Sequence, residues 1–356
     1  MHRNGYAQGW GIGETGALGT GEMASSSVAV NVSAPLPGPL VTSISSNEFH
    51  SCATTSDQRF YCWGKRLPNG TATDVNEATP VLIEYSAFKV LQVAATYLNT
   101  CIVGSTLRVY CWGNNANAQN GNGVYGWSSD NYGIPAEVLL PAGMKFRRVV
   151  GKQISFCALS EDGQVYCWGY NDYNQTTSPD QDLNVPTPVL VVSLPGLVQE
   201  LFGSTYHFCA RLLKGSIYCW GIALHGVLGD GKSYQHSNGA VQMTVVPAEQ
   251  VVLLDMTASA TYVVLRNGSI WGFGEGYFGA AGVETSATPI QLPIDVAVGE
   301  IVGLSCGGST LEFAKVCCLH LATQPSRCWG DRSLFQIGNG GGKTGFEPVP
   351  VAVVNG

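Results

Sequence analysis

The residues with the clearest chemical potential are the twelve cysteines, because ten of them form pairs with a single spacing. The two cysteines of each pair lie ten residues apart: Cys52 and Cys62, Cys101 and Cys111, Cys157 and Cys167, Cys209 and Cys219, and Cys318 and Cys328. An even separation across a hairpin puts both side chains on one face of neighbouring strands, with opposed Cβ atoms about 4.5–5.5 Å apart. That distance is near the reach of a disulfide bond. The spacing favours five disulfides, and buried free thiols are the alternative.

A sixth hairpin of the same kind has Tyr262 and Gly272 at the two cysteine positions. Both cysteines are therefore replaced together, which favours bonded pairs over independent packing residues. The two remaining cysteines, Cys306 and Cys317, are candidates for a sixth bridge, since Cys317 points to the opposite strand face from its neighbour Cys318. We expect no zinc site, because no Cys-x-x-Cys pair lies near histidines at ligand spacing.

Disulfides indicate an oxidising compartment, so we expect an extracellular or periplasmic protein, with a cytoplasmic or nuclear location as the alternative. Four glycosylation sequons point weakly the same way, and they begin at Asn31, Asn69, Asn174 and Asn267. The first residues of the chain have no apolar core, so a signal peptide would have to lie upstream of Met1.

Other chemical motifs lack the context that they need. The segments 11–16 and 274–279 match the dinucleotide fingerprint, but no helix follows either of them. The segment 338–344 is one residue short of a phosphate-binding loop and runs into a proline-rich stretch. His50 and His207 each stand two residues before a cysteine, which favours packing or local hydrogen bonding. We therefore expect no cofactor, no metal and no catalytic residues, and an enzyme is disfavoured.

These residues are positioned by an internal repeat of roughly 50 residues. The dipeptide Trp-Gly recurs along the chain, and in one unit phenylalanine replaces the tryptophan; the anchors are Trp10, Trp63, Trp112, Trp168, Trp220, Phe273 and Trp329. Each unit reads as a proline-containing strand, a second strand and a hairpin that ends in Trp-Gly, followed by a glycine-rich loop. The pattern predicts an all-β, seven-bladed propeller of about four short antiparallel strands per blade, forming one domain over residues 1–356.

The repeat resembles that of the regulator of chromosome condensation family. The motif segments that carry the resemblance are His50–Ala53, Tyr166–Gly169, Gly16–Gly21 and Gly226–Gly231. The resemblance implies ring closure between the two ends of the chain. It also implies a non-enzymatic protein-binding scaffold, here an extracellular or periplasmic interaction module or ectodomain. The family's founding member is a nuclear exchange factor, so an intracellular exchange factor or adaptor for a small GTPase is the alternative.

The two ends of the chain enter and leave the repeat at different points. The N-terminus begins inside the hairpin, whereas Glu347–Val353 is a proline strand with nothing after it. We expect the chain to be a fragment, in which these ends share one incomplete blade.

The net charge of −7 and the absence of a basic stretch argue against a nucleic-acid partner. No apolar run is long enough to insert into a membrane.

Because propellers bind through their loops, aromatic residues in the loops after the anchors are the candidate protein-binding residues. They are Tyr125, Trp127, Tyr132, Tyr170, Tyr173, Tyr234, Tyr277 and Phe278. The alternative is that each ring packs onto its own blade.

Overall fold

The computed structural model describes residues 7–33, 40–47, 49–65, 76–96, 98–126, 133–179, 182–278, 283–294, 296–307, 315–331, 337–341 and 346–354. In these ranges almost all regular structure is β-strand. The three helical segments there are single 3₁₀ turns at Leu224–Gly226, Ala248–Gln250 and Val298–Glu300. The predicted all-β class is therefore confirmed.

The first repeat unit forms a two-stranded antiparallel sheet of β1 (Gln8–Gly11) and β2 (Ser26–Asn31). Each of the following six units forms a four-stranded antiparallel blade, and we number these blades two to seven after their units. Blade two consists of β3 (Val41–Ser46), β4 (His50–Thr55), β5 (Phe60–Lys65) and β6 (Asn76–Ile83). Blade three consists of β7 (Val90–Ala95), β8 (Asn99–Gly104), β9 (Val109–Gly113) and β10 (Ala136–Glu137). Blade four consists of β11 (Phe146–Gly151), β12 (Ser155–Ser160), β13 (Val165–Tyr170) and β14 (Asn184–Leu190).

The remaining three blades repeat the same order, in which neighbours in the chain are neighbours in the sheet. Blade five consists of β15 (Val198–Gly203), β16 (His207–Leu212), β17 (Ile217–Gly221) and β18 (Val241–Gln242). Blade six consists of β19 (Val251–Met256), β20 (Ala260–Leu265), β21 (Ile270–Phe278) and β22 (Val283–Gln291). Blade seven consists of β23 (Ile301–Gly307), β24 (Val316–Leu321), β25 (Arg327–Asp331) and β26 (Phe346–Ala352).

The described residues thus form a propeller of six four-stranded blades, and a seventh four-stranded blade is not among them. Unit one lies where the ring closes. Its Ala29 N–H donates to the Val354 carbonyl of blade seven at 2.8 Å, and its Gly21 N–H donates to the Ala78 carbonyl of blade two at 2.8 Å. Unit one therefore contacts both the last and the first complete blade, although it contributes only two described strands.

The predicted strand order within a unit was wrong. The proline-containing strand is the last strand of its sheet: β6, which contains Pro80, pairs with the Trp-Gly strand β5. The C-terminal strand β26 likewise pairs with β25 and completes blade seven, so it does not share a blade with the N-terminus. The physical reason is that the loop after Trp-Gly returns the chain to the same sheet. There the strand lies at the outer edge, where proline's missing N–H is tolerated.

The anchor aromatics form the core between consecutive blades. Trp63, Trp112, Trp168, Trp220, Phe273 and Trp329 are almost completely buried. Each packs against the preceding unit, as Trp168 does against Val103 and Val109 of blade three. The first strand forms one edge of each sheet. The first strands of neighbouring blades contact one another, so they are the innermost strands of the ring.

All twelve cysteines form disulfide bonds. The five predicted hairpin pairs face each other in register, as Cys157 faces Cys167, with Cα atoms 4.0 Å apart in that pair. The sixth bridge joins Cys306 of β23 to Cys317 of β24. In blade six, Tyr262 stands opposite Gly272, and its ring meets Trp329 edge-on at 5.6 Å. Tyrosine and glycine therefore occupy the same cross-strand position that two cysteines occupy in the other hairpins.

A lysine reaches across the ring on the innermost side. Lys152 follows the first strand of blade four, and its Nζ donates to the Cys306 carbonyl of blade seven at 2.5 Å. The Cys306 N–H donates to Asp255 Oδ2 of blade six at 2.8 Å. Desolvation raises the pKa of the Asp255 carboxyl, and the Lys152 charge opposes that shift. These contacts connect blades four, six and seven, which reduces their freedom to move apart.

Candidate functional site: the loop face

The antiparallel order of the strands divides the propeller into two faces. Loops that follow the first and third strands of each blade emerge on one face, which we call the loop face. Loops that follow the second and fourth strands emerge on the other, which we call the hairpin face. Tyr125, Tyr170, Tyr173 and Tyr234 all lie at or after the end of a third strand, so all four are on the loop face.

The other candidates can be located only in part. Trp127 and Tyr132 lie outside the described residues. Tyr277 and Phe278 end strand β21, and their side chains are outside the described part of the structure. The cluster that the sequence predicts around Trp127 therefore stays a prediction.

Tyr125 is the most accessible of the described candidates, with 57% of its surface exposed. Asn115 holds the backbone on both sides of it. The Asn115 Nδ2 donates to the Val124 carbonyl at 2.9 Å, and the Gly126 N–H donates to the Asn115 carbonyl at 2.9 Å. Tyr125 is thus presented to solvent by a loop with a hydrogen-bonded base.

Tyr170 and Tyr173 come together with a residue that the sequence did not single out, Tyr206. The rings of Tyr173 and Tyr206 meet edge-to-face, with centroids 5.3 Å apart. The Tyr170 hydroxyl bonds the Asp172 carboxylate. The pKa of the Tyr170 phenol is raised, mainly by burial and further by Asp172, Tyr173 and Tyr206. We call Tyr170, Tyr173 and Tyr206, with Asp172 and Asp182, the tyrosine patch.

The tyrosine patch is continuous because two blades contribute to it. Tyr170 ends the third strand of blade four and Tyr173 follows it, whereas Tyr206 follows the first strand of blade five. Asp182 borders the same surface, since the Asn171 Nδ2 donates to the Asp182 carbonyl oxygen at 3.1 Å. Tyr206 could have been found from the sequence by treating both loop types of one face together.

Tyr234 has a more structural setting. Its hydroxyl donates to Asp230 Oδ2 at 2.9 Å within its own loop. Burial, followed by the contact with Asp230, raises the pKa of this phenol well above its ordinary range. The ring packs against the core between blades five and six, as the rings of Tyr173 and Tyr206 also do in part. Tyr234 therefore stabilises its loop and offers less free surface than Tyr125.

Three loops of this face are fixed by a hydrogen bond from the anchor tryptophan of the next blade. The Trp63 Nε1 donates to the Ala17 carbonyl at 2.8 Å. The Trp168 and Trp220 indoles bond the carbonyls of Gln119 and Gln175 in the same way, each at 2.9 Å. Each loop also turns through left-handed residues, such as Gly121 with φ of +60° and Asn174 with φ of +58°. The candidate binding residues therefore sit on loops whose bases are rigid.

The histidines in the motif positions are buried between blades. The His50 Nε2 pairs with the Thr100 hydroxyl of blade three at 2.8 Å, and burial lowers the pKa of His50 to about 4. The His207 Nε2 pairs with the Thr261 hydroxyl of blade six at 3.2 Å, and burial lowers the pKa of His207 to about 3. Both imidazoles are neutral at pH 7 and connect adjacent blades.

The described part of the chain contains no group of three or more histidine, cysteine or acidic side chains that could hold a metal ion. In the same ranges, no helix is long and apolar enough to cross a bilayer. The arrangement on the loop face is suited to contact with another molecule: rigid loop bases, exposed or half-buried tyrosines, and carboxylates beside them.

Comparison with known proteins identifies the repeat. The family model of the regulator of chromosome condensation (RCC1) repeat matches residues 41–65 and 155–175, so the chain carries repeats of this type and the predicted resemblance is confirmed. The second matched segment contains Tyr170 and Tyr173. The ultraviolet-B receptor UVR8 of Arabidopsis thaliana is 25% identical over 316 residues, which are 84% of this chain and 68% of that protein.

Solved structures are similar at low sequence identity. Human WBSCR16 superposes with a TM-score of 0.83 at 15% identity, covering 98% of this chain and 94% of that one. Prp20p of Saccharomyces cerevisiae, reported with its binding to Gsp1p and histones, superposes with a TM-score of 0.79 at 19% identity, covering 97% of this chain and 85% of that one. At these identities the likeness establishes the fold, an RCC1-like β-propeller.

Proposed function

We propose that this RCC1-like propeller is a non-enzymatic protein-binding scaffold whose partner docks on the loop face. The observation that carries the proposal is the placement of Tyr125, Tyr170 and Tyr173 on one face of a rigid ring. Tyrosine provides a large contact area at low conformational-entropy cost, which suits an interface anchor. The structurally similar Prp20p supports a protein partner, since it is reported to bind Gsp1p and histones.

We also propose that the protein works in an oxidising compartment, as an extracellular or periplasmic module or ectodomain. Six disulfide bonds support this location, because such bonds persist in oxidising environments and are rare in the cytosol. On the same grounds we propose that it is secreted and that exposed sequons carry glycans.

The second candidate function is an intracellular exchange factor or adaptor for a small GTPase. The fold likeness to Prp20p, reported with binding to Gsp1p, favours it. The redox state of the cysteines separates the two candidates, since a cytoplasmic or nuclear protein keeps its thiols reduced.

The closure of the ring is also part of the proposal. We propose that residues 1–356 form one domain and that unit one occupies the seventh blade position. The supporting contacts are those of unit one with Ala78 of blade two and Val354 of blade seven.

The test of the proposed function is a partner isolated by affinity capture from the native source, followed by comparison of two variants. Tyr125→Ala on the loop face should weaken binding by about 1–3 kcal/mol if the ring is an interface anchor. Leu213→Ala on the hairpin face is the matched control, because Leu213 is similarly exposed, at 62%. A partner that tolerates Tyr125→Ala and loses affinity with Leu213→Ala would place the interface on the hairpin face and contradict the proposal.

A further inference from the structure

The tyrosine patch combines aromatic faces with carboxylates. Tyr173 and Tyr206 are half-buried, and each packs in part against the core between blades five and six, with the rest open to solvent. Asp172 and Asp182 are exposed; the Asp172 carboxylate bonds the Tyr170 hydroxyl, and the Asp182 backbone bonds Asn171, the residue next to Tyr170. Rings held in this way lose little freedom when a ligand binds, so the surface is preorganised.

The described loops of the loop face are also mainly acidic. Among the described residues, its exposed charged side chains are the acids Glu14, Glu22, Asp172 and Asp182, together with one base, Lys232. In the described loops of the hairpin face, the exposed charged side chains have both signs in equal number: Asp57, Glu84, Glu161, Asp162 and Glu249 beside Arg59, Lys89, Lys145, Lys214 and Arg266. Among the described loops, the excess of exposed negative charge therefore lies on the face that carries the tyrosines.

A cation is the chemical group that matches both features. A guanidinium or ammonium group is attracted to the face of a tyrosine ring, and the attraction grows when the group is desolvated. Carboxylates bond such a group directly, and arginine adds planar stacking and bidentate geometry that lysine lacks.

We infer that the tyrosine patch is a cation-recognition site that seats an arginine side chain of a basic polypeptide partner. The inference rests on the proposed function, because it names the chemistry of the partner that docks on the loop face. Asp172 and Asp182 supply the charge, while Tyr173 and Tyr206 supply the aromatic surface. The acidic face attracts the basic segment from a distance, and salt screens that attraction.

The experiment measures the binding of a fluorescein-labelled penta-arginine peptide to the oxidised protein by fluorescence anisotropy. Penta-lysine and penta-glutamate are the comparison peptides. We expect penta-arginine to bind more tightly than penta-lysine, penta-glutamate not to bind, and affinity to fall as salt rises. Tyr206→Ala should weaken penta-arginine binding by about five-fold or more, whereas Tyr206→Phe, which keeps the ring, should retain most of it.

Charge variants keep the test independent of folding. Asp182→Asn removes one exposed carboxylate and should also weaken binding several-fold, whereas Glu161→Gln removes an exposed carboxylate from the hairpin face and should change affinity little. Absence of penta-arginine binding at low salt overturns the inference. Equal losses with Asp182→Asn and Glu161→Gln also overturn it, because they would indicate attraction by net charge alone.

The natural partner separates this inference from the proposed function. A partner that loses affinity with Tyr125→Ala but tolerates both Asp182→Asn and high salt refutes the cation site and leaves the scaffold function intact. A partner that tolerates every loop-face variant refutes the scaffold function, even if penta-arginine binds the tyrosine patch.

Discussion

The Thr261 hydroxyl donates a hydrogen bond to the Val227 carbonyl at 2.8 Å, in the one described blade whose anchor is not tryptophan. In blade five, the Trp220 indole bonds the corresponding carbonyl, that of Gln175, at 2.9 Å. The side chain of Phe273 in blade six has no N–H to donate, so the loop carbonyl there keeps the hydroxyl bond, as the Ala17 carbonyl also has from Ser51 beside the Trp63 indole. The contact that fixes the blade-five loop to blade six is thus preserved although the anchor is phenylalanine.

We predict that Thr261→Val lowers the free energy of unfolding by about 1–3 kcal/mol, since the Val227 carbonyl and the His207 Nε2 both lose the hydroxyl that they bond. Thr261→Ser keeps the hydroxyl and should retain most of the stability. Urea unfolding followed by tryptophan fluorescence measures both variants. Equal stability of the valine and serine variants would show that the hydrogen bond does not contribute to the free energy of unfolding.

We predict that the protein loses stability as the pH falls from 6.5 towards 4. An unfolded histidine has a pKa near 6.5, whereas burial lowers the pKa of folded His50 to about 4. Between these values the unfolded chain binds a proton that the folded chain does not, so acid favours unfolding, by at most about 1.4 kcal/mol per pH unit for one histidine. Urea midpoints across this range give the slope.

The control for this prediction is His50→Asn, which places at this position the residue that blade three has at Asn99. The variant should unfold with a shallower pH dependence than the natural protein. An unchanged slope would mean that His50 does not contribute to the pH dependence.

Lys152 is predicted to stabilise the ring through its contact with Cys306 across the innermost strands. Lys152→Met keeps most of the side-chain length and removes the charge that faces Asp255. It should lower the thermal midpoint, because Asp255 then loses one of the two positive charges, Lys152 and Arg148, that favour its ionised form. Lys145→Met, which removes an exposed lysine of the hairpin face, should leave the midpoint nearly unchanged. A similar shift in both variants would argue against a specific role for the cross-ring contact.

The three described sequons should differ in glycan occupancy when the protein passes through a eukaryotic secretory pathway. Asn31 and Asn267 are exposed, whereas the Asn174 Nδ2 donates to the Ser237 carbonyl at 2.8 Å in a partly buried contact between two loops. We expect glycans at Asn31 and Asn267 and none at Asn174, as measured by enzymatic deglycosylation and peptide mass mapping. A glycan at Asn174 in folded protein would contradict the described loop contact.

The cysteine pairs were predictable because a strand has a period of two, so a ten-residue hairpin spacing fixes which side chains oppose each other. The replacement of Cys by Tyr262 and Gly272 in blade six could be interpreted for the same reason. The position of the proline strand could not be predicted in this way. A repeat spacing is the same wherever the unit is taken to begin, so it does not tell which sheet β6 or β26 joins.

The candidate site was predictable only in part. Tyr170 and Tyr173 stand in a loop after an anchor, where an aromatic residue is conspicuous. Tyr206 stands between the first and second strands of blade five, directly before the buried His207. In the sequence it is therefore interpreted as a structural residue of the repeat. Its contact with Tyr173 depends on how blade five packs against blade four, which no local pattern contains.

The most direct test of a disulfide-bonded scaffold that works outside the cytoplasm is disulfide mapping of the protein purified from its native source. Free thiols are blocked at purification, and the protein is then digested without reduction and its linked peptides are identified by mass spectrometry. The account predicts the six linkages Cys52–Cys62, Cys101–Cys111, Cys157–Cys167, Cys209–Cys219, Cys306–Cys317 and Cys318–Cys328. Recovery of all twelve cysteines as blocked free thiols would contradict it and favour the intracellular candidate.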